Sequence, residues 1–420
     1  MAAQAQSRKT MKMTILQANS APVLSHLNAR LALFYFSYLA VLGAFSPYFG
    51  PFLSARGFSD TQVGLVMALW YGTRIFAPSL WNAAVSKARR PSHWLQGGAL
   101  LVLLSAALFQ PRWPLFSVML VMLVFASAYN ALMPHFEAHT LHMLRHTPLT
   151  YGRIRLFGSL GFLLVVLGFG ALLSNVGVDY LIVAMLPILL LLFISTLVQG
   201  ELASDQPEPP ESLQQGSGQG FWARCSSLPV QAYGLLLIAC LNQIAHGPFY
   251  VYFSIYLERS DYSKLSIGAL WALGVVAEIL IFYLLSSRFA KRIPIFSSPE
   301  KLLALSMAIG ALRWCAVAIF PESAVLLALS QCLHAFTFAA AHSCLMLLIM
   351  RQFSNQLGFA QSLFYGFSGG VGGVLGAGLA ALLWTQISPS AAYFGAAIAS
   401  FTAFLLCTRI FAAPSAAAIR

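Results

Sequence analysis

Two acidic residues are unusual because they lie within or beside long apolar stretches. Glu278 is the only charged residue in LGVVAEILIF (residues 273–282), and Glu137 lies in MPHFEAH (residues 133–139). An ionised group in hydrocarbon is costly, so such residues mostly face a wet cavity or a partner. A carboxyl group there can take up a proton, since burial favours its protonated form, and release it beside a cation. The structural alternative is a charge that is paired only to hold two helices together.

Two arginines also lie deep within apolar stretches. Arg313, in GALRWCAVAIF (residues 310–320), is the natural partner for Glu278, and Arg74 occupies a similar depth in an earlier stretch. Both are too central to reach water easily along their own side chains, so a carboxylate or a ligand is the expected partner. For Arg74 the alternative is that it only stabilises the packing between helices.

Neutral polar residues add to this group. In LSQCLHAFTFAAAHSCLMLLIM (residues 329–350), helical spacing allows His334, Thr337 and His342 to share one polar face. Asn242 and His246 are four residues apart in another apolar stretch and form a candidate substrate-contact pair. We expect a proton or substrate role for His334. For His342, a neutral histidine with an ordinary hydrogen bond is an equal alternative.

A stripe of histidines follows the spacing of a helix but does not predict a metal site. His135, His139, His142 and His146 are separated by four, three and four residues. Such a stripe can bind zinc, but it lies where an apolar stretch ends, and histidines that meet water explain it better. The six cysteines are scattered without a CxxC pair and are typical of small core residues. We therefore expect no metal and no cofactor.

The composition indicates what positions these residues. Of 420 residues, 59% are hydrophobic and 9% are charged, which is too apolar for a soluble protein of this length. A helix of roughly 20 residues crosses a bilayer, and helices satisfy their own backbone hydrogen bonds there. The sequence therefore predicts an all-α membrane protein with twelve transmembrane helices. They are expected at about 31–54, 61–85, 94–110, 113–134, 154–174, 179–199, 228–256, 265–287, 301–320, 323–350, 357–384 and 391–411.

The net charge of +12 reflects topology and does not indicate nucleic-acid binding. With alternating sides, 18 Lys and Arg fall with the termini and the even-to-odd loops, and four fall on the other side. By the positive-inside rule both termini are cytoplasmic. We expect a multi-pass protein of the cell inner (cytoplasmic) membrane. Its partners would be the lipid bilayer, protons and a small-molecule substrate, with no nucleic acid, and the protein would be a monomer.

The chain divides into two halves that resemble each other. Aligning residues 44–75 with residues 245–279 pairs Pro47 with Pro248 and Gly64 with Gly268, and it puts Arg74 opposite Glu278. Two pseudo-symmetric six-helix bundles joined by a cytoplasmic linker are the pattern of the major facilitator fold. The expected parts are an N-terminal tail (1–29), a first bundle (30–199), a linker (200–227), a second bundle (228–411) and a C-terminal tail (412–420).

Several motifs together resemble one branch of this superfamily. YGRIRLFGSLGF (151–162), VVAEIL (275–280), GALRW (310–314) and LHAFT (333–337) are similar in order and spacing to segments of the lactose permease. The pattern LHxxTFxxxHxxxM (333–346) and an arginine at Arg74 resemble the 3-phenylpropionate transporters still more closely. The resemblance covers about residues 30–410. It implies an integral membrane carrier that is not an enzyme.

The resemblance also implies roles for individual residues. Glu137 and Arg155 match the sugar-binding carboxylate and guanidinium of the permease, and Glu278 matches the carboxylate that links substrate to proton. Arg313 then matches the arginine partner of that carboxylate, and His334 matches the histidine of the coupling network. The sequence departs at Thr337, where the permease has the glutamate that releases the proton. Proton coupling is accordingly assigned to Glu278, Arg313, His334 and Glu137.

The charges around the expected cavity favour an anionic substrate. Three arginines, Arg74, Arg155 and Arg313, stand against two carboxylates, and guanidinium groups suit a carboxylate ligand. An aromatic monocarboxylate such as 3-phenylpropionate is the preferred substrate class, and aromatic residues expected near the midplane suit its ring. These are Tyr38, Tyr71, Phe162 and Trp271. The candidate substrate-binding residues are Arg155, Glu137, Arg74, Asn242, His246, His342 and Thr337.

Other functions remain open at this stage. A proton symporter of a sugar or a nucleoside is the second choice. A proton-driven exporter is a third, although the loop WNAAVSKARRPSHW (81–94) lacks the acidic residue that such exporters commonly carry. A membrane scaffold or receptor is disfavoured because its buried charges would have nothing to bind. No phosphate-binding GxxxxGK[ST] loop occurs, so an ion gradient would have to drive uphill transport.

Overall fold

Helices account for all the regular structure in the described part of the chain. The computed structural model describes residues 2–144, 147–199, 225–226, 228–288, 292–352 and 357–412. Side chains are described from residue 25 onward, apart from those of residues 357, 358, 362 and 412. Most of the predicted linker and C-terminal tail, and His146, lie outside these residues, as do the side chains of most of the N-terminal tail.

The first six helices, α1–α6, form one group that we call the first group. They are α1 (Ala2–Ala55, membrane-crossing over Ser25–Ala55), α2 (Asp60–Val85), α3 (Pro91–Ala107), α4 (Leu115–Leu144), α5 (Tyr151–Val176) and α6 (Leu181–Leu197, after a 3-10 turn at Val178–Tyr180).

The second group comprises α7–α12, and three of these helices change geometry along their length. They are α7 (Val230–Ala245, then Gly247–Glu258), α8 (Lys264–Ser286), α9 (Pro299–Ile319), α10 (Ala324–His334, π-helical Ala335–Ala340, then Ala341–Gln352), α11 (Leu357–Phe364, π-helical Tyr365–Gly372, then Gly373–Gln386) and α12 (Pro389–Ala412). A single helical turn, Pro294–Ser297, precedes α9.

The prediction of an all-helical membrane protein is confirmed. Eleven of the helices are long and apolar enough to cross a membrane. The remaining one, α3, has 17 residues, which is at the lower limit of roughly 17–25 residues for a crossing helix. Among the membrane-crossing segments the largest boundary difference is at α4, which is expected to end near residue 134 and ends at Leu144. Helix α1 also begins before the expected residue 31, at Ala2. Pro134 lies inside α4 without ending it, as membrane helices tolerate.

The two ends of the bundle differ in charge. The end with loops 56–59, 108–114, 259–263 and 320–323 carries Arg56, Arg112, Arg259 and Lys264, and we call it the charge-poor end. The opposite end, with residues 86–90, 147–150, 287–288 and 292–298, carries most of the described arginines and lysines and is called the basic end. Each helix therefore runs from one chemically distinct end to the other.

The two groups pack through two similar helix pairs, α2 with α11 and α5 with α8. Glycines allow the close approach in both. A Cβ at Gly64 of α2 would lie 2.6 Å from Tyr252 Oη of α7 and from Ala381 Cβ of α11. A Cβ at Gly268 of α8 would lie 2.4 Å from Tyr48 Oη of α1 and 2.6 Å from the Val166 carbonyl oxygen of α5. Any larger residue at either position would push the two groups apart.

A polar contact that we call the latch ties the groups together at the charge-poor end. It is built on Asp60, the first residue of α2. Arg259 donates to both carboxylate oxygens at 2.8 and 3.0 Å, and Trp384 Nε1 donates to one of them at 2.9 Å. The Tyr252 hydroxyl donates to the Asp60 carbonyl at 2.7 Å. All three partners belong to the second group, so the latch closes this end of the space between the groups.

Candidate functional site

Glu278 ends a buried chain of hydrogen bonds within the second group. Its Oε1 lies 3.0 Å from Nε2 of His334, and His334 Nδ1 lies 3.0 Å from Arg313 Nη1. Helices α8, α10 and α9 supply one residue each. The Glu278 side chain is 16% exposed and that of His334 is 6% exposed, so both lie almost wholly inside the bundle.

The partners fix the tautomer of His334. A guanidinium can only donate, so the Nδ1 that faces Arg313 must accept and cannot carry a proton. The proton of neutral His334 is therefore on Nε2, where it is donated to Glu278. A second proton on His334 would point at the guanidinium. In this arrangement Glu278, not the histidine, is the group that is free to gain or lose a proton.

Arg313 also binds a second histidine through a threonine. Its Nη1 donates to Thr337 Oγ1 at 2.9 Å, and that hydroxyl lies 3.4 Å from His246 Nε2. His246 Nδ1 lies 2.7 Å from the Asn242 carbonyl oxygen, which can only accept. His246 thus carries a proton on Nδ1, and its Nε2 faces a hydroxyl that can either donate or accept. Asn242, His246, His334 and Thr337, which were selected from the sequence as separate candidates, lie together in this structure.

Breaks in helical geometry make these contacts available. The site lies where α7 is interrupted at His246 and where α10 becomes π-helical. Pro248 follows the interruption, and the Asn242 amide donates to the Thr337 carbonyl at 3.2 Å. Single π-helical stretches often occur at functional sites because they re-aim side chains and free backbone groups. Neither break was predicted, because a π turn has no distinct residue signature.

The expected direct pairing of Glu278 with Arg313 is not what the structure shows. Among the described residues, no carboxylate lies within 4.0 Å of the Arg313 nitrogens, and His334 lies between the two charged groups. Arg313 is 1% exposed, and its Nε and Nη2 atoms have no hydrogen-bond partner there. The Arg313 Cζ atom lies instead over the rings of Trp314 and Phe249, 4.0 and 5.0 Å from their centroids. Ring faces attract a positive charge in this position.

The first group contributes an ion pair near the basic end. Arg155 of α5 and Glu137 of α4 are hydrogen-bonded, and the Tyr151 hydroxyl donates to the same carboxylate at 2.7 Å. The side chains of Arg155 and Glu137 remain 44% and 32% exposed. Two of the candidate substrate-binding residues, Glu137 and Arg155, are thus in direct contact, while Tyr151 was not predicted because tyrosine is common near helix ends.

Arg74 of α2 has a neutral partner. Its Nε donates to Asn130 Oδ1 at 3.3 Å, and the Asn130 amide in turn donates to Thr73 Oγ1 and to the Trp70 carbonyl. The guanidinium lies over the rings of Tyr71 and Trp70. In the described part of the chain, Arg74 has no carboxylate within salt-bridge distance. It is a positioned cation without a negative partner.

Tyr250 belongs to the second group but lies near charged residues of both groups. It lies on α7 beside His246, with ring centroids 5.8 Å apart. Its phenol is within electrostatic range of Arg74 from the first group and of Glu278 and Arg313 from the second. Tyr250 is not evident from the sequence, because one tyrosine among many carries no pattern.

The aromatic residues predicted to suit a substrate ring are packed in the core. Tyr38, Tyr71, Phe162 and Trp271 are all at most 8% exposed. The Tyr38 hydroxyl donates to the Tyr129 carbonyl, and Trp271 Nε1 donates to Ser254. These rings support the helices. His342, in contrast, stacks near Phe338 and lies within electrostatic range of Arg155 across the space between the groups.

Comparison with known proteins shows the family of this chain. The model of the MFS_1 like family, a branch of the major facilitator type, matches residues 28–395. The chain belongs to this family. It is 31% identical over 314 residues to the probable 3-phenylpropionic acid transporter of Escherichia coli (strain K12), covering 74% of this chain and 79% of that protein. It is 27% identical over 303 residues to the maltose permease of Geobacillus stearothermophilus, covering 69% and 70%.

Solved structures agree on the fold. The nucleoside transporter NupG has a TM-score of 0.74 at 15% identity, covering 92% of this chain and 100% of that one. An auto-inhibited peptide transporter of the POT family has a TM-score of 0.71 at 12% identity, covering 93% and 96%. The protein is therefore a multi-pass membrane transporter of the major facilitator type, and the expected resemblance to the 3-phenylpropionate transporters is confirmed.

Proposed function

We propose that this transporter carries an aromatic monocarboxylate, such as 3-phenylpropionate, together with a proton by alternating access. The observation that carries the proposal is Arg74, a guanidinium held by Asn130 and two ring faces, with no carboxylate beside it among the residues that the structure describes. A bound carboxylate would supply the missing charge and two acceptor oxygens. The similarity to a probable 3-phenylpropionic acid transporter supports the same substrate class.

Glu278 is the proposed proton-binding group. His334 beside it is held neutral by its partners, so the chain of contacts from Arg313 to Glu278 carries one fixed charge, that of Arg313, and one variable charge, that of Glu278. An ionised Glu278 repels an incoming carboxylate, whereas a protonated Glu278 leaves Arg313 to attract it. Proton and anion then favour each other's binding, which is the thermodynamic requirement for symport. His334 acts as the hydrogen-bonded relay between Arg313 and Glu278.

The proposed architecture has twelve crossings in two pseudo-symmetric halves, residues 30–199 and 228–411, with both termini in the cytoplasm. Gly64 and Gly268 support the symmetry. Gly64 of α2 meets α7 and α11, and Gly268 of α8 meets α1 and α5, so equivalent helices make equivalent contacts. The basic end would face the cytoplasm of a bacterial cell across its inner membrane. The transporter would act as a monomer.

The latch supports alternating access. Asp60 and its partners close the charge-poor end, while Arg155 and Glu137 stay substantially exposed toward the basic end. This arrangement fits a state that is closed to the outside and open to the cytoplasm. Transport would require the latch to break and the helices to close around the basic end, as the two groups rock about the central site.

A second candidate is proton symport of a sugar or a nucleoside. The Glu137–Arg155 pair favours it, because a neutralised arginine and a carboxylate together offer donors and acceptors to hydroxyl groups. A maltose permease is among the relatives. In this case Arg74 would only brace α2 against α4.

Uptake into proteoliposomes separates the two candidates. The purified protein is reconstituted, an inward proton gradient is imposed, and radiolabelled 3-phenylpropionate, maltose and a nucleoside are offered in turn. We expect accumulation of the aromatic acid, abolished by a protonophore. Accumulation of maltose or the nucleoside, with none of the acid, would establish the second candidate and overturn the first.

A further inference from the structure

Three rings on α10 and α11 form a continuous surface that leads away from the Glu278 cluster. Phe338 stacks on His334 with ring centroids 5.3 Å apart and an interplanar angle of 15°. His342 follows Phe338 at 6.4 Å and 18°, and Tyr365 follows His342 at 6.2 Å and 39°. We call Phe338, His342 and Tyr365 the aromatic wall. It extends from the buried cluster toward the basic end.

The aromatic wall faces the space between the two groups. Phe338 is 37% exposed and Tyr365 is 54% exposed. Exposed apolar side chains of a membrane protein mostly contact lipid, but Tyr365 and His342 lie within electrostatic range of Arg155 on the opposite group, and Tyr365 also of Glu137. The π-helical stretch that begins at Tyr365 also packs against α2 of the first group. The exposed surface of Tyr365 and His342 therefore faces the first group and is available to a ligand.

Open space adjoins the wall on the side of Arg74. A Cβ at Gly366, next to Tyr365, would meet no atom within 4 Å. A Cβ at Gly369, one turn further along α11, would meet only Arg74 Cδ, at 4.0 Å. Tyr365 and Gly369 are four residues apart in the same π-helical stretch, so the wall and Arg74 lie within about one helical turn of each other along α11. A substrate that places its ring against the wall and its carboxylate at Arg74 therefore needs only a short spacer between the two.

We propose that the aromatic wall binds the ring of the substrate while Arg74 binds its carboxylate, so that Phe338 and Tyr365 determine specificity for aromatic acids. This inference rests on the proposed function and adds the residues that select the ring. Offset or edge-to-face contacts with two flat side chains favour a ring over an alkyl chain of similar size. His342 completes the surface, and its role is that of a neutral ring.

The test compares Phe338→Leu and Tyr365→Leu with wild type in the proteoliposome assay. Removing one aromatic contact should raise the KM for 3-phenylpropionate about two- to tenfold. The KM for hexanoate, a carboxylate of similar length without a ring, should stay within about twofold. The dependence of uptake on the proton gradient should be retained, because neither residue takes part in the hydrogen bonds that join Glu278, His334 and Arg313. Phe367→Leu is the matched control, since Phe367 is also exposed on α11 and makes no such stack.

The outcomes separate the two proposals. If wild type carries no aromatic acid, the proposed function fails. If wild type carries it and both Leu variants keep the wild-type preference for 3-phenylpropionate over hexanoate, the aromatic wall is overturned while the function stands. Should a Leu variant fold poorly, Phe338→Tyr and Tyr365→Phe keep the ring and are expected to keep the preference. Loss of preference in these two variants would contradict a stacking role.

Discussion

Nε2 of His334 lies 3.0 Å from Oε1 of Glu278, while Nδ1 of the same ring accepts from Arg313 at 3.0 Å. The histidine thus separates a carboxylate from the arginine that would otherwise pair with it. Because one ring nitrogen must accept and the other must donate, the imidazole is neutral and its orientation is fixed. Glu278 is left as the group whose protonation changes the charge of the cluster.

The first prediction concerns His334 as a relay. Replacing it with Gln keeps one donor and one acceptor in the side chain, so His334→Gln should retain measurable substrate-induced proton uptake. His334→Leu removes both and leaves Arg313 and Glu278 unbridged, so proton uptake should fall to background. A pH-sensitive dye inside the proteoliposomes measures this directly. Equal activity of the two variants would argue that the imidazole does not bridge the charges.

The second prediction concerns Arg74 as the carboxylate site. Arg74→Gln should weaken binding of 3-phenylpropionate about 10- to 100-fold, which corresponds to loss of one charge-assisted hydrogen bond. The affinity of Arg74→Lys should lie between those of wild type and Arg74→Gln, because a lysine keeps the charge but cannot make two parallel hydrogen bonds to a carboxylate. Calorimetry on detergent-purified protein gives the Kd. Arg351→Gln, which breaks a pair with Glu300 at the basic end, is the control and should bind normally. Unchanged binding by Arg74→Gln would move the anion site elsewhere.

The third prediction concerns the latch. Asp60→Asn weakens the hydrogen bonds from Arg259 and Trp384 to this side chain. The ratio of molecules open to molecules closed at the charge-poor end should therefore rise about two- to fivefold. Spin labels at the exposed positions 112 and 322, in an otherwise cysteine-free protein, report the distance across that end. Arg259→Gln should have the same effect, and the double variant should add little because both break one contact.

The control for the latch lies at the same end. Arg56 and Asp179 form a comparable ion pair, at 3.1 Å, but both belong to the first group. Asp179→Asn therefore removes a charge without releasing a contact between the groups. The distribution of distances between the two spin labels in Asp179→Asn should match that in wild type. If Asp60→Asn and Asp179→Asn behave alike, the latch has no specific gating role.

The parts of this account that follow from sequence are those governed by local composition. Glu278, Arg313 and Arg74 are conspicuous because each is a charge in an apolar stretch, and the helix positions follow from hydropathy alone. The grouping of His246 with Thr337 required three-dimensional contacts, although each residue had been selected for its polarity.

Other parts could not be predicted because they depend on packing between distant helices. Asp60 follows a serine that caps α2, and the sequence there signals only the start of a helix. Its partner Arg259 is 199 residues away. The aromatic wall was missed for a related reason: among many aromatic residues, only the structure separates the exposed Phe338 from the buried Trp271. The expected direct Glu278–Arg313 contact is not found because His334 lies between the two side chains, and that position depends on how α8, α9 and α10 pack together.

The most direct test of the central claim is to compare wild type with Glu278→Gln in two modes of transport of radiolabelled 3-phenylpropionate. One mode is accumulation driven by an inward proton gradient, and the other is exchange between equal pools without a gradient. A permanently neutral side chain cannot release a proton, so the variant should lose accumulation and keep exchange. Accumulation at the wild-type level in Glu278→Gln would contradict the assignment of Glu278 as the proton-binding group.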